Sequence, residues 1–179
     1  MNIKRIHHVA YRCKNAKETV QFYQKHLGME LTVSIAEDKV PSTKEPNPYI
    51  HVFLDAGMGN ILAFFEITGE KEMSRDLNTP LWVQHIAFEL EDVAALEKAK
   101  ESLEKDGIDV LGVTDHNIFK SIYFFDPNGH RLELVAPTST PEKMTKLKEI
   151  AQEMLDEWDK TKTPPKQAAW LHSDEFGTN

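Results

Sequence analysis

Disulfide scaffolding is excluded first, because the 179-residue chain holds one cysteine, Cys13, and an internal bridge needs two. No concentrated run of lysine and arginine is present either. Twenty-one basic against 29 acidic residues give a formal charge of −8, which argues against nucleic acid or an anionic membrane as partner, since both call for clustered positive charge. No apolar stretch reaches the length of a signal peptide or a membrane span. These absences lead to the expectation of a cytoplasmic protein. With 40% hydrophobic residues the chain is long enough to bury a substantial core.

The most informative stretch is Ser121–Val135. Two apolar runs rich in aromatic and β-branched residues flank Asp126-Pro-Asn-Gly129, the pattern of a strand, a tight turn and a strand. Glu133 stands between Leu132 and Leu134 in a segment otherwise suited to burial. A buried carboxylate needs a donor network, a cation or a metal.

Residues 3–13 alternate as a strand, with Ile6, His8, Ala10 and Arg12 on one face. Asn15 with Glu18 forms a capping box, Ala16, Val20, Tyr23 and Leu27 fall on a helical stripe, and Gly28 is a left-handed stop. A strand at 31–36 follows. Residues 37–48 hold three prolines and predict a flap-like loop, and further strands are expected at 49–54 and 61–67. The pattern then repeats after a polar linker at 68–80. Gln84–Leu90 echoes His7–Cys13, Asp92 caps a helix running to Asp106, and the strands 108–113 and 121–135 complete the second copy.

The domain plan is therefore a first βαβββ module at 1–67, the linker, a second module at 81–137, and a C-terminal segment at 138–179. In that segment Thr140-Pro141 opens a helix with Leu147, Ile150, Met154, Leu155 and Trp158 at helical spacing, and Thr163-Pro-Pro165 ends it. Its stripe is expected to pack on the modules or on a second copy in a homodimer. Residues 168–179 show no period.

The repeat aligns His8 with His85 and Glu66 with Glu133. Two imidazoles and two carboxylates converging across a pseudo-twofold would suit one divalent metal ion, with donors acceptable to Zn, Ni, Fe, Mn or Co. His51 and His130 are each read as a surface or strand-edge residue, with support of a ligand or contact to substrate as the alternative, and Cys13 is read as packing. Trp82, just before His85, is a candidate wall of the cavity.

His8-Val-Ala-Tyr-Arg12, Phe22-Tyr23 before Leu27-Gly28-Met29, His85-Ile-Ala-Phe88 and Asp126-Pro-Asn-Gly-His-Arg-Leu-Glu133 together resemble the vicinal oxygen chelate superfamily over about residues 3–136. That superfamily includes glyoxalase I, extradiol ring-cleaving dioxygenases, fosfomycin-modifying enzymes and metal-free antibiotic-binding proteins. The resemblance implies an α+β fold, two βαβββ modules forming a cupped half-barrel around a metal site, plus the C-terminal helix. It implies a metal-dependent enzyme acting on a substrate with vicinal oxygens, and the retained ligands favour this over a non-catalytic binding protein.

The bacterial glyoxalase I pattern resembles this chain at all four ligand positions, with Glu66 and Glu133 also catalytic and Arg12 a substrate contact. An asparagine of that pattern is replaced by Glu70. The extradiol pattern uses two histidines and one glutamate, and Tyr123 matches its active-site tyrosine ten residues before the glutamate. His116 falls near one of its acid–base histidines, out of register, and is taken as a further substrate contact. A glyoxalase-like lyase or isomerase is the favoured expectation, with an Fe(II) ring-cleaving dioxygenase as the alternative.

Overall fold

The computed structural model describes residues 1–69, 73–74 and 76–165. Its architecture is α+β: two four-stranded sheets, each with a helix between its first and second strands, and a C-terminal helix. The sheets are open rather than closed into a barrel.

The first sheet comprises β1 (Val9–Arg12), β2 (Glu30–Lys39), β3 (Pro46–Asp55) and β4 (Ile61–Ile67), in the order β1-β4-β3-β2. β1 runs parallel to β4, while β4, β3 and β2 are antiparallel neighbours. Helix α1 (Ala16–Leu27) begins where Asn15 accepts from the Glu18 amide and ends at Gly28, whose φ of 64° is the left-handed stop read from the sequence. Strand alternation divides this sheet cleanly. Leu62 pairs with Leu54 and Phe64 with Val52 on one face, where the Phe64 ring lies 5.0 Å from Tyr23 of α1. Ala63 pairs with Phe53 and Phe65 with His51 on the other.

The expected loop at 37–48 is shorter. Lys39 pairs with Pro46, so the two strands run on and turn within residues 40–45, where the Val40 amide donates to Glu45 O and the Lys44 amide to Val40 O. Pro46 is tolerated because it occupies the first position of β3, where a missing N–H costs little, and Pro48 falls where the β2–β3 register is interrupted between Glu37 and Lys39.

The second sheet comprises β5 (Ile86–Glu89), β6 (Leu111–Asp115), β7 (Phe119–Phe125) and β8 (Arg131–Pro137), in the order β5-β8-β7-β6. Helix α2 (Val93–Lys105) starts at Asp92, which accepts from the Ala95 amide, and buries Leu96 and Leu103. A bulge interrupts β6 beside Gly112, whose φ is 107°. A Cβ there would lie 2.7 Å from the Ser121 carbonyl oxygen, so only glycine fits. Helix α3 (Pro141–Thr161) starts where Thr140 accepts from the Lys143 amide. The tail at 168–179 lies outside the described residues.

By compactness the described residues divide into one unit within 1–86 and 125–132, and another within 87–124 and 133–179. In the first unit the 126–129 turn docks on α1. Asp126 accepts from the Tyr23 hydroxyl at 3.2 Å, Asn128 Nδ2 donates to Thr19 Oγ1 at 3.0 Å, and the Lys14 amide donates to Asn128 Oδ1 at 2.8 Å. Of these five residues all except Lys14 are buried.

Candidate active site

In the second unit, strands β7 and β8 place three chemical groups in a row. Glu133 is 3% exposed, and its burial between Leu132 and Leu134 is the arrangement the sequence pattern anticipates. Tyr123, ten positions earlier, donates its hydroxyl hydrogen to Glu133 Oε1 at 2.9 Å. His116 Nε2 lies 2.8 Å from the same hydroxyl oxygen. A phenol has one hydrogen to give; since Glu133 takes it, the imidazole must donate from Nε2. The result is a directed chain, His116 to Tyr123 to Glu133. His116 reaches it from the 115–119 turn, where its own amide donates to Phe119 O.

In the first unit, the face of the sheet opposite α1 carries His8 and His51. The His8 ring stands 6.2 Å from His51 and 5.8 Å from Phe53, and its Nδ1 lies 2.9 Å from His7 Nδ1. His51 is stacked on Phe65, centroids 3.5 Å apart and planes 17° from parallel. Its Nε2 is buried with no hydrogen-bond partner among the described residues. Burial, and then the nearby His8, lower its pKa and favour the neutral ring. The sequence pattern alone puts His51 at a surface or strand edge. What reveals it is the β3–β4 register that sets it across from Phe65, which a single strand pattern does not contain.

Arg12 shares this face by strand parity. His130, by contrast, is structural: its Nε2 lies 2.8 Å from Arg12 O and its ring 5.1 Å from Tyr11. His85 lines a cavity of about 920 Å³ together with Tyr11, Leu81, Val83 and Arg131. Its Nδ1 lies 3.1 Å from the Val83 carbonyl oxygen. A carbonyl only accepts, so Nδ1 carries the hydrogen and Nε2 the lone pair, which is how a metal-binding imidazole is commonly oriented.

Glu66 departs from the expected alignment. It has the parity of Leu62 and Phe64, so it lies on the α1 face, and Phe65 occupies the face of His51. Its Oε2 accepts from the Ala16 amide at 2.6 Å, the first helical position of α1. An anion there meets the unsatisfied amides and the positive end of the helix dipole. Aligning the two modules by composition places Glu66 opposite Glu133, but the Cys13 amide donates to Phe65 O as the Leu90 amide donates to Val135 O, so Glu133 corresponds to Ala63, three positions away, and an odd offset reverses a strand side chain. Glu70 lies outside the described residues.

Among the described residues, no group of three or more His, Cys, Asp or Glu side chains is gathered closely enough to hold a metal. His8 and His85 belong to the first unit and Glu133 to the second. In kind the donors suit one: a buried carboxylate, and an imidazole whose second nitrogen is tied to a carbonyl.

The chain matches the Glyoxalase/Bleomycin resistance protein/Dioxygenase superfamily over residues 5–134. MhqA of Bacillus subtilis (strain 168), named as a ring-cleaving dioxygenase, is 29% identical over 139 residues, 76% of this chain and 41% of MhqA. The chain thus spans less than half the length of that relative. FosB of Staphylococcus haemolyticus, named a metallothiol transferase, is 29% identical over 134 residues, 74% of this chain and 83% of FosB. A glyoxalase family protein from Enterococcus faecalis, of known structure, superposes with a TM-score of 0.56 at 30% identity, over 75% of this chain and 99% of its own. Paired strand–helix–strand modules, a match over most of the chain and relatives that share both place this protein in the Glyoxalase/Bleomycin resistance protein/Dioxygenase superfamily.

Proposed function

We propose that this protein is a metal-dependent enzyme for a small substrate with adjacent oxygens, and that its reaction is oxygen-dependent cleavage of a catechol-type ring. The observation that carries this reading is the His116–Tyr123–Glu133 chain, in which one phenol joins a buried carboxylate to an imidazole. The name of MhqA supports the same reaction class. The glyoxalase-like alternative calls on Glu66 as a fourth ligand, and that carboxylate is bonded to the Ala16 amide.

In this reading His8, His85 and Glu133 hold one divalent metal, Fe(II) by preference. The bound metal would gather the two substrate oxygens and activate dioxygen. The chain's own residues do the rest. Neutral His51 lies on the same face of the first sheet as His8 and contributes to the wall beside it. Phe53 and Phe65 offer aromatic surface to a flat ring. Tyr123 fixes the Glu133 carboxylate, and His116 Nε2 holds the Tyr123 hydroxyl in that orientation. Both atoms of the dioxygen enter the product, so no separate reductant is consumed. Arg12, on the His51 face, is kept as a substrate contact.

A homodimer in the cytoplasm completes the proposal. It is supported by the exposed apolar side chains Met144, Leu155 and Trp158 of α3. No helix among the described residues is long and apolar enough to cross a membrane.

The test is anaerobic reconstitution with Fe(II), Mn(II), Ni(II) and Zn(II), then parallel assays on catechols with oxygen and on methylglyoxal with glutathione. Ring cleavage with Fe(II), lost in His85→Ala, is expected. Isomerisation without ring cleavage restores the lyase reading; no bound metal under any condition leaves a binding protein.

A further inference from the structure

Of the 21 residues of α3, the one that is buried is Lys143, at 7% exposure. This inverts the usual order, in which apolar side chains are buried first and ammonium groups stay in water. The burial therefore asks for a specific partner. Lys143 Nζ donates to Asn117 O at 2.9 Å.

Asn117 is the tip of the turn between β6 and β7. Its φ of 65° is left-handed, a conformation asparagine adopts more readily than most residues but still at some cost. Its amide donates to Asp115 Oδ1 at 2.7 Å, and the amide of His116 closes the turn onto Phe119 O at 2.9 Å. A second tie comes from the residues that lead into α3: the Thr138 amide donates to Ile118 O at 3.1 Å. Two consecutive carbonyls of the turn, those of Asn117 and Ile118, are thus held from residues 138–143. From this same turn His116 extends to the Tyr123 hydroxyl. Every group named belongs to the second unit.

The superfamily match ends at residue 134, so the helix that supplies these ties lies beyond it. We propose that Lys143 is a positioning residue, by which α3 holds the 116–119 turn so that His116 Nε2 reaches Tyr123. The inference rests on the role given to His116 above. It adds that the C-terminal helix is a working part of the site.

The test uses the full chain and two readouts. The variants are Lys143→Met, which keeps the length of the side chain and removes its donor; Lys143→Arg, which keeps a donor; and Lys148→Met, on the exposed side of α3, as control. In the metal-free protein, long-range proton–nitrogen spectra of the His116 ring report its tautomer and the shielding of its Nε2 hydrogen. That signature is expected to be lost in Lys143→Met and kept in the other two. In the reconstituted enzyme, kcat is expected to fall roughly 10- to 100-fold in Lys143→Met with KM within about twofold, the loss typical of a misplaced catalytic group.

An unchanged His116 signature in Lys143→Met with α3 intact by circular dichroism overturns the proposal. If Lys143→Met does not fold, Lys143→Gln takes its place and is judged by the same criterion, with a weakened signature expected. The first readout needs neither metal nor substrate. A change there without ring cleavage in any protein refutes only the assigned reaction; ring cleavage with no change there refutes only the role of Lys143.

Discussion

Glu66 and Cys13 show how much a single side chain's surroundings decide. Because Glu66 Oε2 accepts from the Ala16 amide, Glu66→Ala removes an anion from the N-terminus of α1, and should cost about 1 kcal/mol of stability. Thermal unfolding checks the cost, and metal analysis of the same variant checks the ligand set. Metal content should stay at the wild-type level; its loss would return Glu66 to the centre. Cys13 is 2% exposed, and burial first of all pushes its thiol up to about 11 from an ordinary 9.0. A folded-state value above the unfolded one means that the native protein holds its proton longer. The resulting stability is complete below pH 9 and drains away as pH rises towards 11. Alkylation at pH 8 should accordingly be slow in the native protein and fast in denaturant; rapid native labelling would contradict the burial. Glu133 was legible because it interrupts two buried leucines. Glu66 and His51 were not, since the face of each depends on register with a neighbouring strand rather than on its own.

At the scale of elements, local chemistry was the readable part. Asn15, Asp92 and Thr140 cap the three helices as their side chains predict, because a cap is decided within four residues. The 37–48 segment was harder, since its prolines suggest a loop while pairing with a long neighbour extends both strands. The Asp126-Pro-Asn-Gly129 pattern is legible as a turn, but its docking on α1 depends on residues more than 100 positions away and leaves no local signal. Asp126 there accepts from the amides of Asn128 and His130, from Asn128 Nδ2 and from the Tyr23 hydroxyl. Burial, reinforced by Asp126, raises the Tyr23 pKa well above its ordinary range, so the phenol stays protonated and keeps donating. Asp126→Ala would strand that hydroxyl and two amides, and a loss of roughly 2–5 kcal/mol is expected from several buried groups left unpaired. Urea unfolding measures it. Tyr23→Phe in the same background should then recover part of the loss, because the stranded donor is gone; strict additivity would show that the two groups do not interact.

For the whole molecule, the superfamily accounts for residues 5–134 and leaves α3 to be explained by physics alone. Its helical period was plain in the sequence, but which face meets the rest of the protein was not, because a stripe records apolar content and not its partner. Lys143 is buried, while Met144, Leu155 and Trp158 stay 48%, 60% and 46% exposed. Those three recur at positions compatible with one side of a helix, and covering a Leu or Trp of this kind contributes on the order of 1.5–3 kcal/mol each. Such a side is what a second copy could cover in the proposed homodimer. Light scattering coupled to size exclusion should therefore give twice the chain mass for the wild type, and the single-chain mass for Leu155→Glu/Trp158→Glu. That double substitution leaves the Lys143–Asn117 contact in place, so ring cleavage and the His116 spectrum should survive any loss of the dimer unless a second copy also completes the site. A wild type that runs at single-chain mass across the micromolar range removes the homodimer from the proposal and leaves α3 with the positioning role alone.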